Sequence, residues 1–557
     1  MPTLLLATAL GPLDWLILAG YCAVVLAIGW WASRGGQDDE SYFLGGRKMP
    51  AWAVAMSLTA TALSAATFIG GPQDAFAGNL SYLMLNLGQV LGVLVVAFFF
   101  IPAFYRAGTI TIYGYLEQRM GPGTGTAAGV AFLVGRLLAS GARLFIAGIA
   151  FSLILYGDLQ LRHLLPAIVF FGILGTVYTA LGGIKAVIWT DTLQLIIVIG
   201  SAVLAIVLLM RAIPLSVGET LGVLADTRLT DAEGNDAGSK LQLLDLSLDH
   251  TKAYTLWAAL AMTAFNAAAF GTDQDLVQRL LTTRSPRQAI GSLLGAIALS
   301  IPVTALFLVI GLLLFVFYTR PDVMGDSAPP EALSDSRAVY PQFLLHHLPA
   351  GVRGLALAGL FAAAMSSLDS AINAMASSAV ADVWRPMKRV LGRHTKRGDD
   401  EPKPAPGTDA SVSRGMVVGM GALLTLFAVF AAVAYDPEKN TLIKYALGIM
   451  TFAYAGLLGV FLTAVLTPRG NLYSVIAALL AGAGVIAGFR FTPIILDAAQ
   501  VDTLGRLLGI DSPFDLAFPY VMLLGTAVSV AVCCMGKTPM EIQGATVFDE
   551  PMGHQLS

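Results

Sequence analysis

The chain has 557 residues, of which 56% are hydrophobic and only 12% charged, with 33 basic against 36 acidic side chains. Soluble domains carry about 25% charged residues, so this composition, with repeated apolar runs of about 20 residues, excludes a soluble globule and defines a polytopic membrane protein. A formal charge of -3 leaves no electrostatic footprint for nucleic acid, and Cys22, Cys533 and Cys534 match no zinc or disulfide spacing.

The opening "MPTLLLATALGPLD" has no cationic region, so no cleaved signal peptide is expected and Trp15 to Ala32 forms a first membrane helix. Apolar runs between polar breaks predict about thirteen spans. They lie near 14–33, 50–78, 80–105, 123–155, 164–182, 186–210, 254–279, 288–318, 350–384, 413–435, 441–467, 472–490 and 515–535. The loops after spans 1, 3, 7 and 9 are basic, with Arg34, Arg47, Lys48, Arg106, Arg119, Arg279, Arg284, Arg287 and the run "RPMKRVLGRHTKR". The long loops near 212–252 and 319–349 are acid-rich. Basic loops stay cytoplasmic, which predicts an outside N-terminus and an inside C-terminus. The Pro-rich "GDDEPKPAPGTD" reads as a polar linker without helix. With about 20 residues after the last span, no kinase or sensor domain is expected.

Two segments are poor helices for their depth: "SLTATALSAATFIGGPQDAF" (57–76) and "MTAFNAAAFGTDQDL" (262–276). Each begins a set of five spans. Interrupted segments at matching places in two halves point to an inverted-repeat transporter, although two independently loose helices would give the same pattern. The expected organisation is an extra helix and loop over 1–49, a first five-helix repeat over 50–211 and an extracellular loop over 212–253. A second, inverted repeat covers 254–467, with a linker at 386–412, and two C-terminal helices and a tail cover 468–557.

Span 9 contains "AAAMSSLDSAINAMASSAV" (362–380). On a helix Ser366, Ser370, Asn373 and Ser377 form one stripe, with Asp369 beside it. At about 1.5 Å per residue, Ser366 lies roughly 24 Å along the span. A carboxylate at such depth normally faces a bundle interior or aqueous cavity. Adjacent hydroxyls and a carboxylate are hard oxygen ligands for an alkali cation, completed by carbonyls of an unwound neighbour; serine that only packs or back-bonds is the plainer alternative. Asp191, in "GGIKAVIWTDTLQ", is a second buried carboxylate, or else an N-terminal helix residue favoured by the dipole.

The stretches "TALGGIKAVIWTDTLQ" (179–194), "GTDQDLVQRLLTTRSPRQA" (271–289), "FLGGRKMPAWAVAMSLTATALSA" (43–65) and "GLFAAAMSSLDSAINAMASS" (359–378) together resemble the sodium:solute symporter family. That family holds sodium/glucose, sodium/proline, sodium/iodide and sodium/sialic acid transporters, and the resemblance runs over about 14–470 in unbroken order. It implies an all-α polytopic membrane protein with the LeuT-type fold of two inverted five-helix repeats. It further implies a main sodium site from the carbonyls of Ala60, Leu63 and Ala363 and the hydroxyls of Ser366 and Ser367. A second sodium would use Asp191, Ser367, Asp369 and Ser370, where Asp369 departs from the hydroxyl expected in relatives and could instead admit a proton. One or two sodium ions are thus implied.

The same resemblance aligns sugar-binding positions with Ala62, Ala66 and Thr67, which lack the Asn and Glu that recognise a hexose, while Asn266 matches a sugar-contacting Asn. Ser64 and Thr67 match hydroxyl positions of sialic acid transporters, which also carry an arginine on the fourth span. Here "VGRLLASGARLF" offers Arg136 and Arg143 on one face. A guanidinium inside the membrane needs an anion, supplied by a substrate carboxylate or by the protein's own carboxylates and carbonyls. Arg143 is the preferred substrate ligand. Tyr82, Asn86 and Gln89 sit at helical spacing and could line the cavity, with Phe265 and Phe270 as gates.

The expected activity is sodium-driven uptake of a small carboxylate such as sialic acid or another organic acid. A sugar, an amino acid, or proton coupling through Asp369 are the alternatives. A membrane enzyme would need a nucleophile–base pair or metal cluster, and the six histidines lie in loops or tails. A channel would show a pore loop or charge rings. The expected partners are the small-molecule solute and the lipid bilayer, with no nucleic acid. The protein is expected to work as a monomer in a cell membrane, the bacterial inner membrane.

Overall fold

Within the Thr-, Ser- and Ala-rich segment 57–67 the chain leaves the helix at Leu63 and Ser64. A computed structural model describes residues 10–34, 39–156, 160–230, 236–329, 339–393, 408–434, 442–495 and 516–539. After α1 (Pro12–Ala32), the first interrupted segment is α2 (Ala51–Ala62) and α3 (Ala65–Ala77). Leu63 and Ser64 between them are extended, and the two pieces meet at 58°. Next come α4 (Leu85–Val95), α5 (Ile112–Met120), α6 (Thr124–Tyr156) and α7 (Leu161–Ala212). The second interrupted segment is α8 (Leu256–Thr272) and α9 (Gln274–Leu280), parted by the extended Asp273. Then follow α10 (Pro286–Thr319), α11 (Val352–Ser378), α12 (Arg385–Arg393), α13 (Thr408–Ala434), α14 (Leu442–Leu466), α15 (Leu472–Ile495) and α16 (Phe518–Cys534).

Eight helices among the described residues are long and apolar enough to cross a membrane, or nine with the bent α2–α3 pair; 256–272, 452–466 and 518–534 are shorter apolar helices. The expected spans 164–182 and 186–210 form one element, α7, of 52 residues. At about 1.5 Å per residue that is far longer than a hydrocarbon core of about 30 Å. Gly183 divides it with φ 57 and ψ -150. A Cβ at Gly183 would lie 2.4 Å from the Tyr42 carbonyl oxygen, so the bend needs glycine.

Two expectations are corrected. The chain is not wholly α-helical: β1 (Arg228–Thr230) and β2 (Asp236–Ser239) pair antiparallel in the long loop after α7. Span 9 does not stop near 384 but runs through a π-helical turn (Ala379–Trp384) into α12, so the linker begins as helix. Most of the Pro-rich linker, 394–407, lies outside the described residues.

The most apolar stretch of 352–391 is 89% buried, against 28% for α1, so α11 runs through the middle of the bundle. Its N-terminus is held by α1. Asp14 Oδ1 accepts the N–H of Gly351 (2.7 Å) and of Gly354 (2.8 Å), satisfying donors a helix start leaves open. α4 packs closely on α8, where a Cβ at Gly92 would lie 2.7 Å from the Ala267 nitrogen.

Candidate cation and substrate site

A helix that ends inside the bundle leaves carbonyl oxygens without backbone donors. The end of α2 does this beside α11, where the Ser366 hydroxyl donates to the carbonyls of Ala60 (3.0 Å) and Ala363 (3.3 Å). The buried Ser367 hydroxyl has no hydrogen-bond partner among the described residues. A hydroxyl keeps lone pairs while donating. If Ser366 turned its proton away, Ala60, Ala363, Ser366 and Ser367 would offer four neutral oxygens to one small cation. Leu63 is buried at the break, and no hydrogen bond ties it to this group among the described residues.

Behind this group lies a buried ionic network. Arg279 donates Nη2 to Asp191 Oδ2 (3.0 Å), Nη1 to Asp275 Oδ1 (2.9 Å) and Nε to the Ser57 hydroxyl (2.8 Å). Ser57 in turn donates to Asp191 Oδ2 (2.5 Å). Asp191 is therefore not merely a helix-end residue favoured by the dipole: it meets Arg279 across 88 residues of chain. Its Oδ1 has no partner among the described residues. The Ser370 hydroxyl donates to the Ser366 carbonyl (2.7 Å) and reaches Asp275 Oδ2 at 3.4 Å. Asp369 Oδ2 accepts the Tyr178 hydroxyl (2.5 Å) and faces Thr190 Oγ1 at 3.5 Å, while its Oδ1 accepts the Ser370 N–H (2.5 Å).

Arg136 belongs to the same network. It donates Nη1 to Asp273 Oδ2 (2.8 Å), and Nη2 pairs with Asp275. Asp273 Oδ2 also accepts the Tyr454 hydroxyl (2.5 Å), and its Oδ1 caps α9 at the Asp275 N–H (3.0 Å). Of the two alternatives for Arg136, the geometry is that of pairing with the protein's own carboxylates. Asp191, Asp273, Asp275 and Asp369 stand against Arg136, Arg279 and the neighbouring Arg143, so the fully ionised network carries one negative charge in excess. Arg143, half-buried two turns along α6, has Arg136, Asp273 and Tyr454 as electrostatic neighbours.

The remaining substrate candidates are scattered over the walls around the two breaks. Ser64 caps α3 through its carbonyl, which accepts Thr67 N–H (2.9 Å). Tyr82 lies on a 3-10 turn (Ser81–Met84), not on the helix of Asn86, and packs edge-on to Tyr254 at 5.4 Å. Asn86 donates to the Leu83 carbonyl and Asn266 to the Met262 carbonyl, each at 3.0 Å. Gln89 accepts from Ser300 at 3.5 Å. Phe265 packs on Tyr454 at 5.5 Å, and Phe270 is buried. A large apolar cavity of about 1120 Å³, with Val134 and Val390 in its walls, contains none of these candidates.

Sequence reasoning missed Ser57, Tyr178, Asp273, Asp275, Arg279 and Tyr454 as members of the network. Asp275 and Arg279 carried a usable signal, being opposite charges four residues apart on a membrane helix.

A broken-helix bundle with a neutral oxygen cluster beside a buried, negatively biased network defines a cation-coupled membrane transporter. Its match to the model of the sodium:solute symporter family spans residues 42–482, and the chain belongs to that family. It is 30% identical over 485 residues to the human sodium/iodide cotransporter, covering 85% of this chain and 68% of that one. It is 26% identical to the sodium/sialic acid symporter of Proteus mirabilis (87% and 92% covered). It is 28% identical to the human sodium-coupled monocarboxylate transporter 1 (84% and 72%). The fold matches that of a solved Na+-coupled sialic acid symporter with a TM-score of 0.73 at 23% identity, covering 94% and 97%. These relatives are transporters, and the chain is a sodium-coupled symporter spanning a membrane several times.

Proposed function

We propose that the protein imports a small organic anion, a carboxylate of the sialic acid or monocarboxylate kind, driven by sodium bound at Ala60, Leu63, Ala363, Ser366 and Ser367. The observation that carries this reading is the Ser366 hydroxyl on the Ala60 carbonyl, beside the unpartnered Ser367 hydroxyl. The relatives' named cargoes, sialic acid, monocarboxylate and iodide, share a negative charge, which supports an anion over a neutral sugar. Arg143 meets the carboxylate in this reading, while Arg136 is held by two aspartates. Ser64, Thr67, Tyr82, Asn86 and Asn266 are the further substrate contacts in this reading.

A second cation binds at Asp191, Ser367, Asp369 and Ser370. The one excess negative charge and Asp191 Oδ1, which has no partner among the described residues, support this. That cation is sodium in the leading reading. A proton on Asp369 is the second, favoured by the complete burial of that carboxyl. The architecture we propose is thirteen spans built around two inverted five-helix repeats, 50–211 and 254–467, with the N-terminus outside and the C-terminus inside a bacterial inner membrane. Sodium favours the outward-open form, and linkage requires substrate to tighten sodium by the factor with which sodium tightens substrate. Thermal stabilisation of the purified protein by sialic acids, monocarboxylates, sugars and amino acids, with and without sodium, tests the assignment. A carboxylate should stabilise only with sodium; a neutral sugar acting alone would overturn it.

A further inference from the structure

A cavity of about 410 Å³ opens at the end of the bundle that carries the basic loops. Three cationic side chains line it, and they come from separate parts of the chain. Lys48 precedes α2, Lys185 follows the bend of α7, and Arg414 lies near the start of α13. Among the described residues no Asp or Glu lines it, although the whole chain is net acidic at -3. Lys48 and Arg414 form no salt bridge among the described residues, and Lys185 Nζ lies 4.5 Å from the Trp31 ring centroid. Three positive charges around one cavity repel one another unless an anion joins them.

The walls indicate which anion. Trp31 and Trp189 line the cavity edge-to-face at 6.3 Å, and Trp52 packs on Trp189 at 5.6 Å. Trp31 and Trp52 are 48% and 56% exposed. Tryptophans grouped this way mark the membrane–water interface, and basic loops mark the cytoplasmic side. Leu181, on the rim, is 40% exposed and continues the cavity onto the lipid-facing surface. A soluble anion has no use for an apolar rim, whereas a phospholipid places its phosphate among the cations and its chains along that rim.

We propose that this cavity binds the head group of an anionic phospholipid of the cytoplasmic leaflet through Lys48, Lys185 and Arg414. Bound there, the lipid links the entry to the broken helix, the Gly183 bend and α13.

The test is thermal unfolding of the full chain in nanodiscs of phosphatidylcholine alone or mixed with phosphatidylglycerol. Phosphatidylglycerol should raise the wild-type midpoint. It should do the same for the charge-preserving variant Lys48→Arg/Lys185→Arg/Arg414→Lys. The triple variant Lys48→Gln/Lys185→Gln/Arg414→Gln should lose that increment while unfolding normally in phosphatidylcholine. If that variant does not fold, Lys48→Gln and Arg414→Gln singly should each lose part of the increment. An equal increment in wild type and glutamine variants would overturn the proposal. So would the same increment from inorganic phosphate in phosphatidylcholine discs, which would assign the cavity to a soluble anion.

Discussion

The Ser366 hydroxyl meets the Ala60 carbonyl at 3.0 Å, although 306 residues of chain separate them. The contact joins the centre of the bundle to the point where the first broken helix stops. In an alternating-access transporter, a cation seated there would hold the two pieces together and its loss would let them part.

Removing one hydroxyl ligand should weaken sodium binding without unfolding the protein. Ser366→Ala and Ser367→Ala are each expected to raise the sodium concentration for half-maximal uptake about tenfold, a loss of about 1.4 kcal/mol. Sodium activation curves at fixed substrate check this. Unchanged curves in both variants would move the main site elsewhere.

The Arg279–Asp191 pair is buried at 1% and 0% side-chain exposure, so removing one partner strands the other. Arg279→Met and Asp191→Asn should each cost about 3–5 kcal/mol. Combined, they should cost less than their sum, because the partners are in contact. Thermal unfolding of the four proteins in detergent measures the coupling, and strict additivity would contradict the pairing.

Arg136 and Arg143 should respond differently. Arg136→Gln leaves Asp273 and Asp275 without their guanidinium and should lower thermal stability together with maximal uptake. Arg143→Gln should mainly raise the substrate concentration for half-maximal uptake, by roughly 10- to 150-fold for a lost charge-assisted hydrogen bond of about 1.5–3 kcal/mol. Uptake kinetics beside melting curves separate the two roles.

Lys240, in the loop after α7, donates Nζ to the carbonyls of Phe76 (2.6 Å), Gly78 (2.8 Å) and Ala75 (3.3 Å), closing the end of α3. Burial pushes its ammonium down to about 8 from 10.5. Between those values the seated lysine holds fewer protons than a solvated one, so this group makes the folded form more stable as pH rises from about 8 toward 10.5. The difference in melting temperature between wild type and Lys240→Met should therefore shift in favour of wild type over that range. A pH-independent difference would show that Lys240 is solvated.

Both broken segments were legible in the sequence, though not the exact break of the first: Gly70, Gly71 and Pro72 lie inside α3, and the chain is extended at Leu63 and Ser64 instead. In the second, Asn266, Gly271 and Asp273 interrupt an otherwise apolar segment, and the break falls at Asp273. The serine stripe of α11 was legible because its spacing is a helical period. The partners of the buried charges were not. Arg136 meets Asp273 across 137 residues, and no local pattern encodes which distant helix supplies the carboxylate. Tyr178 was not singled out, because its contact with Asp369 joins positions 191 residues apart. The β1–β2 pair escaped notice because a hairpin of three- and four-residue strands in a polar loop lacks a period long enough to read.

The central claim is sodium-driven accumulation, and the most direct measurement is uptake by the protein in proteoliposomes under an imposed inward sodium gradient, with choline replacing sodium at fixed pH. Using the carboxylate chosen by thermal stabilisation, the account predicts accumulation above the external concentration with sodium and none with choline. Equal accumulation in choline, driven by an inward proton gradient, would contradict it.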